Sequence, residues 1–459
     1  MTTTRIRNNS EMLYSQLIIL NLFFGSISIF ILYESINFFG IRVNPLNFPI
    51  QIANIVLAVF FLSYSLAFRK QKKTMALFWI FQLIFFGLTG LLNILDPTPY
   101  YLTQIATFSD LQKASLYVFI AQLFVAVGQV FFRARTKRNE AHEAHEPLLS
   151  RADYERIKLR IWKVLILYVI LLPVVINYLG GISFLLRRSR YGLNLSDSTI
   201  ALQAISQSVL YVPPLICLLS FLYLGDRFEK PRKTVMLLLV WLVFLSNPLA
   251  NARQVTVFLL FPIFFYLLKD RRVSTNIFFL GIPFLLIYSA NLVDRFTGEL
   301  IPVRFTILSR NGDFDSFAQF ANGINMVNND LFPYFQQILG PMLFFVPRSI
   351  WDSKPRDTGS VIANQLGLSF QNLSAPWVLE AYSNARLIGL IVASMFLGFY
   401  LSKYDLGSLH NLRSWLLGSI LIGVLFIVLR GSLLQAVGRV IFSFLLVYYI
   451  TNRFRIRSF

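Results

Sequence analysis

The sequence predicts an all-α, polytopic integral membrane protein, and three observations carry that prediction. Apolar residues make up 56% of the 459 positions and charged residues only 14%, where a soluble domain has roughly 45–50% and about 25%. About twelve apolar runs follow one another along the chain, most of them near the roughly 20 residues that carry a helix across a bilayer. The polar connections alternate between strongly basic and mixed composition, as expected when Lys and Arg are retained on the cytoplasmic side.

The first run, Leu13–Phe39, follows a polar start. It is longer than the roughly 7–15-residue core of a cleaved signal peptide, so it reads as a retained span. Pro49–Phe68, Met75–Ile94, Leu116–Phe132, Trp162–Leu179 and Ile200–Leu224 come next. Val235–Ser246 and Val255–Leu268 are short, with Asn247-Pro248 between them; a break at membrane depth is tolerated only where it lines a cavity. Val273–Leu292 follows, and after a long polar interval Leu387–Leu401, Trp415–Leu429 and Leu433–Ile450 complete the set. The basic connections are Arg69–Lys73, Arg133–Arg160, Asp226–Lys233, Lys269–Arg272, Lys403–Arg413 and the tail Arg453–Arg457. They fall on one side, which places both termini in the cytoplasm. The chain divides into 1–291 with nine helices, a large outer loop at 292–386 holding short or amphipathic helices, and 387–459 with three helices and a basic tail.

The net charge of +20 is scattered between spans rather than gathered in one domain, which speaks against nucleic acid as a partner. The single cysteine, Cys217, excludes a disulfide within the chain. No Walker loop, dinucleotide fingerprint, HExxH or GxSxG occurs, so neither a cofactor nor ATP-driven chemistry is indicated. His142 and His145 lie among carboxylates in a cytoplasmic loop and read as a solvated segment.

On this topology the outer side breaks the charge rule, and it does so with Arg rather than Lys: Arg187, Arg190, Arg253, Arg310, Arg348, Arg430 and Arg439 belong to it, with Lys354 as the exception. Guanidinium stays charged when partly buried and grips phosphate by two bonds. The set therefore points to an anion such as phosphate or pyrophosphate, unless it pairs with outer carboxylates such as Asp294, Asp313 and Asp352. Arg253, at the membrane boundary after Ser246–Ala252, is a functional candidate on cost alone. After Asp315, Phe317, Phe320, Ala321 and Ile324 recur at helical spacing, as in a helix lying on the membrane surface or one packed against neighbouring spans. Asp313-Phe314-Asp315 is a D-x-D, a form that can hold a metal but arises easily by chance.

The stretch Pro341–Tyr382 is too polar and too rich in Pro and Gly to span. VPRSIWDSKPRDTG, followed by SAPWVLEAYSNARLIG leading into a span, resembles the outer loop of Wzy-type oligosaccharide-repeat-unit polymerases. Pro347, Trp351, Lys354 and Pro355 stand ahead of a Gly-rich turn, and Glu380, Tyr382, Asn384 and Gly389 at the loop-to-helix junction. NARQVTVFLLFPIFF is similar to a helix start of that family and aligns Arg253, with Asn-Ala in place of the family's Gly-Thr; LRGSLLQAVGRVIF is similar to its late spans and aligns Arg430 and Arg439. The resemblance covers roughly the last half of the chain.

It implies a GT-C-like glycosyltransferase of the cytoplasmic (inner) membrane that polymerises polyprenyl-pyrophosphate-linked oligosaccharides on the outer face. The reaction would be metal-independent and inverting, with no cofactor. A polysaccharide co-polymerase that regulates chain length is an expected partner. Stabilising the departing pyrophosphate would then fall to Arg187, Arg190, Arg253, Arg310, Arg348, Lys354, Arg430 and Arg439. A base is needed for the acceptor hydroxyl; Glu380 is the first choice, then Asp315 and Asp313, although Glu380 also suits a helix N-terminus. Trp351, Trp377, Tyr382 and Asn384 are the candidate sugar-binding residues, with membrane-interface anchoring as the other role for the aromatic ones. An O-antigen ligase-like transferase would need an outer His, and His142, His145 and His410 are all assigned to inside loops. A flippase or exporter should line a transit path with charge from both halves, whereas the first four runs carry almost none.

Overall fold

The structure is a computed structural model that describes residues 15–30, 32–33, 48–67, 72–95, 105–139, 150–186, 197–229, 231–247, 251, 253–268, 271–291, 312–346, 349–368, 373–407 and 411–452. Among the described residues there is no strand. Over the described residues each of the twelve apolar runs falls on a helix: α1 (Ser15–Phe30), α2 (Pro49–Ala67), α3 (Lys73–Leu95), α4 (Phe108–Asn139), α5 (Arg151–Tyr178), α6 (Asp197–Gly225), α7 (Arg232–Leu245), α8 (Arg253–Leu267) and α9 (Arg272–Asn291) in the first part. Three short helices follow, α10 (Ser316–Asn328), α11 (Gln336–Met342) and α12 (Thr358–Gln365), and then α13 (Trp377–Gly407), α14 (Leu412–Arg430) and α15 (Leu433–Thr451). Eight helices are long and apolar enough to cross a membrane, while α1 and the apolar parts of α8 and α9 are shorter. The chain is therefore a polytopic helical membrane protein.

In lipid each backbone N–H and C=O must bond within its own segment, which is why continuous apolar runs become helices. The helices extend beyond these runs: α4 begins at Phe108 and α13 at Trp377, well before the apolar runs they carry. Burial separates inner from outer helices. The spanning window of α3 is wholly buried, whereas α5 turns Ile166, Leu167, Val169, Ile170 and Val174 outward. A π-helical stretch, Gln82–Leu88, interrupts α3 in the core, beside a stacked Phe81–Phe85 pair 4.3 Å apart.

Two apolar clusters form around these inner helices. One gathers on α3, with α2, α4, α10 and α13; the other gathers on α6, with α5, α7, α8 and α15. Helix α14 serves both, giving Leu425 and Leu429 to the first and Leu416, Ile420 and Ile427 to the second. The most extensive helix contact in the molecule joins α4 to α13. It closes at two glycines: a Cβ on Gly128 would strike the carbonyl of Met395, and a Cβ on Gly398 that of Val125. Small residues that let backbones touch are how helices associate where lipid removes the hydrophobic drive.

Helix α10 decides between the two sequence readings of its apolar face. Phe317, Phe320, Ala321 and Ile324 are all fully buried, packed among α3, α4 and α13. It is a core helix of the bundle's end and does not present that face to a membrane surface.

The two ends of the bundle differ. At one end Asp405, on the last turns of α13, accepts the N–H groups of Thr74 at 2.8 Å and Met75 at 3.1 Å, capping α3. Lys73 bonds the Leu268 carbonyl at 2.6 Å, Arg160 bonds the Tyr449 and Ile450 carbonyls, and Arg413 bonds the Thr451 hydroxyl. The other end carries α10, α11, α12, the start of α13 and the corner between α14 and α15.

Candidate functional site

The site is built on that corner. Arg430 ends α14, and Ser432 caps α15, its hydroxyl accepting from Gln435 N at 3.3 Å. The Arg430 carbonyl accepts from Ala375 N at 3.0 Å, which ties the corner to the segment leading into α13.

Arg430 holds both carboxylates of the D-x-D. Its Nη2 donates to Gly312 O at 2.7 Å and lies 3.7 Å from Asp315 and 3.9 Å from Asp313. Asp315 is buried and also accepts from the backbone N–H of Ser374 at 3.2 Å and from its hydroxyl. Burial pushes the Asp315 carboxyl upward, while Arg430 and Ser374 pull it back. Among the described residues no cluster of three or more metal-type side chains occurs. The alternative in which the arginines pair with carboxylates thus applies to Arg430, although its Nε remains without a partner.

A second carboxylate pair lies beside it. Glu380, in the first turn of α13, is buried and accepts from Leu433 N at 3.4 Å, so it faces the N-terminus of α15 as well as its own. Thr358 hydrogen-bonds to Glu380, and the Thr358 hydroxyl is 3.2 Å from Gln337 Oε1. Asp357, the residue before α12, is close enough to interact with Glu380 electrostatically. Its Oδ2 accepts from Gln435 at 3.4 Å and Ser360 at 3.3 Å, while Oδ1 is shut away from solvent with no partner. Burial raises the Asp357 carboxyl, against the hydrogen bonds from Ser432, Ser360 and Gln435. Glycine is required next to this pair, because a Cβ on Gly359 would strike the Leu373 carbonyl. Gln337, Pro341, Arg356, Asp357 and Glu380 line a small enclosed pocket.

Within α15, Arg439 is 7% exposed and donates from Nη2 to Gln207 of α6 at 3.2 Å. Its Nε and Nη1 are buried without partners. Tyr211 of α6 lies near this guanidinium and donates to Asn251 at 2.6 Å. A buried guanidinium with two nitrogens left unbonded and, among the described residues, no carboxylate beside it is costly, and an anion would satisfy it.

The other candidates are placed as follows. Lys354 is buried and donates to the carbonyls of Phe344 and Val346, both at 2.8 Å, so its charge closes a loop. Trp377 is buried near Phe78, and Tyr382 is buried against Tyr117 and Phe320. Asn384 is a junction: its amide donates to Glu380 O at 2.7 Å, its Oδ1 accepts from Ile338 N at 2.8 Å, and its carbonyl accepts from Phe335 N at 2.9 Å. The helix then kinks, with non-helical angles at Ala385 and at Arg386, whose φ is +53°. These three residues are walls and joints beneath the site. Trp351 is half-buried and donates to the Ser353 hydroxyl at 3.0 Å. Arg253 begins α8, with its side chain outside the description, and Arg187, Arg190, Arg310 and Arg348 lie outside the described residues.

The structure thus gathers Glu380, Asp313, Asp315 and Arg430 at one corner and sets Arg439 further along α15. Asp357, Thr358, Gln337, Gln207 and Tyr211 were missed from the sequence. Asp357 and Thr358 had a signal, since they stand in the K-P-R-D-T-G run whose Lys was singled out. No family model, curated protein or solved structure matches the chain. The fold and the site define a class, a helical membrane protein with a charged, enclosed site at one end of its bundle.

Proposed function

We propose that the protein is a membrane glycosyltransferase that polymerises polyprenyl-pyrophosphate-linked oligosaccharide repeat units into a surface polysaccharide on the outer face of the cytoplasmic membrane. The observation that carries this reading is the enclosed Glu380–Asp357 carboxyl pair at the same corner as Arg430, with the unpartnered N–H groups of Arg439 on the following helix. A base and an anion site are the two things such a transfer needs.

In the reaction, an acceptor hydroxyl oxygen forms a bond to the anomeric carbon of the donor sugar. The bond from that carbon to the pyrophosphate oxygen breaks, the electron pair leaves with the lipid pyrophosphate, and the hydroxyl proton passes to Glu380. One displacement inverts the anomeric centre. Asp357, poised beside Glu380, keeps the pair basic enough to accept that proton, and Thr358 orients it. Arg430 and Arg439 offer donors to the charge that develops on the leaving group, the largest expected contribution to rate in a partly dry site.

Charge supports the orientation. Lys73, Arg160 and Arg413 lie at the end opposite Glu380, as expected if that end is cytoplasmic. Twelve spans of GT-C-like arrangement, with both termini inside and a chain-length co-polymerase as partner, complete the proposal.

The test uses purified protein in nanodiscs with lipid-pyrophosphate oligosaccharide from the host, without nucleotide or metal. A ladder spaced by one repeat, lost in Glu380→Gln, is the expected result. Single units that stay unpolymerised but cross a liposome membrane would overturn it in favour of an exporter.

A further inference from the structure

Beside the enclosed pocket lies an open cleft of about 420 Å³, within the roughly 300–1,000 Å³ of small-molecule sites. Gln336, Gln337, Asp352, Ser353 and Arg356 line it. Gln337, Pro355 and Arg356 line the enclosed pocket as well, so one wall separates and joins the two spaces.

The lining chooses the class of ligand. Lys354, the other cation of the cleft, has its ammonium on the carbonyls of Phe344 and Val346. That leaves Arg356 against Asp352, a balance unsuited to a phosphate. Two primary amides, a carboxylate, a guanidinium and a hydroxyl offer paired donors and acceptors in planar arrays. Adjacent hydroxyls of a pyranose ring match such arrays, and the apolar Leu331, Pro355 and Val361 in the same lining suit its C–H face. None of Trp351, Trp377, Tyr382 or Asn384 lines this cleft.

We infer that the cleft bounded by Gln336, Asp352, Ser353 and Arg356 is the acceptor-sugar subsite, holding the terminal residues of an incoming oligosaccharide so that a hydroxyl faces the Gln337 wall that separates it from Glu380. The inference rests on the transferase reading given above. Gln337 is the hinge of the geometry: it sits in both linings and pairs with Thr358, which in turn bonds Glu380.

The probe is the repeat-unit oligosaccharide released from the host's lipid carrier by mild acid. Its binding to nanodisc-embedded protein is measured by calorimetry, and polymerisation of the intact lipid-linked unit is measured in parallel. Gln336→Ala and Arg356→Ala stand on different segments at the surface of the cleft. Each should weaken binding of the released oligosaccharide at least tenfold and raise KM by a similar factor with kcat largely kept. Glu380→Gln should bind the probe as the unaltered protein does. The inference is overturned if the unaltered protein fails to bind the probe at millimolar concentration, or if both cleft variants bind it normally. Binding that is lost in the cleft variants, in a protein that forms no ladder, upholds the cleft as a sugar site and removes the polymerase reading alone.

Discussion

The two ends of the bundle treat buried charge in opposite ways. At the end closed by Asp405, the carboxylate takes two backbone N–H groups of α3, and the cations Lys73 and Arg160 bond backbone carbonyls. At the end that holds Glu380, atoms with the same bonding capacity are left over: Asp357 Oδ1, Arg430 Nε, and Arg439 Nε and Nη1. A polar side chain whose job is to hold helices together becomes saturated, because an unmade buried hydrogen bond costs about 1–3 kcal/mol. Neutral buried atoms without a partner occur throughout the bundle, Ser402 Oγ and the Gln82 and Gln122 amides among them, but among the described residues the unpartnered charged atoms gather at the Glu380 end. The comparison therefore separates structural from functional polarity within one chain.

The sharpest way to break that comparison is to neutralise the open end. Arg439→Leu should lower polymer formation at least about 100-fold. It should also leave the thermal unfolding temperature unchanged or raised, since an unpartnered buried charge is removed. Glu380→Gln should lower the rate by at least about 100-fold as well, with the helical signal in circular dichroism intact. If either variant merely melts earlier, with normal turnover below its melting point, the open end is structural after all.

The opposite end should respond in the reverse sense. Asp405→Ala removes the cap of α3 and should cost about 1–2 kcal/mol in unfolding by denaturant, with turnover per folded molecule retained. The smallest effect expected is a pH dependence. Burial raises Asp357 above the ordinary carboxylate value of 3.8. Between that value and the raised one the folded protein binds more protons than the unfolded chain. Its stability is highest at the acid side of this window and falls as pH rises through the raised value. Asp357→Asn should flatten that slope in melting curves recorded from pH 4 to 8.

Much of the fold was legible in the sequence, because lipid imposes a strict local rule. A helix must be apolar where it faces lipid, and over the described residues the apolar runs fall on helices, eight of them long enough to cross a membrane. Helix boundaries were less legible: α4 and α13 continue into polar sequence that lipid does not constrain. The site was half legible. Glu380, Asp315, Arg430 and Arg439 stood out as charges in apolar or loop surroundings. Asp357 did not, because its importance arises from Glu380, reached only when the start of α12 meets the starts of α13 and α15. The burial of Trp377 and Tyr382 was likewise hidden, since an aromatic residue near a span suits a sugar, a membrane interface or a core equally well. The face of α10 had the right period for two locations, and only its neighbours α3, α4 and α13 chose between them.

The backbone contact of α4 with α13 has a mechanical consequence. With Gly128 seated on Met395 and Gly398 on Val125, neither helix can slide along or roll over the other without a carbonyl colliding. The joint is fixed there, and Glu380 lies beyond it, past the kink at Ala385 and Arg386. Motion at the corner must then arise at that kink or in helices outside the α4–α13 contact.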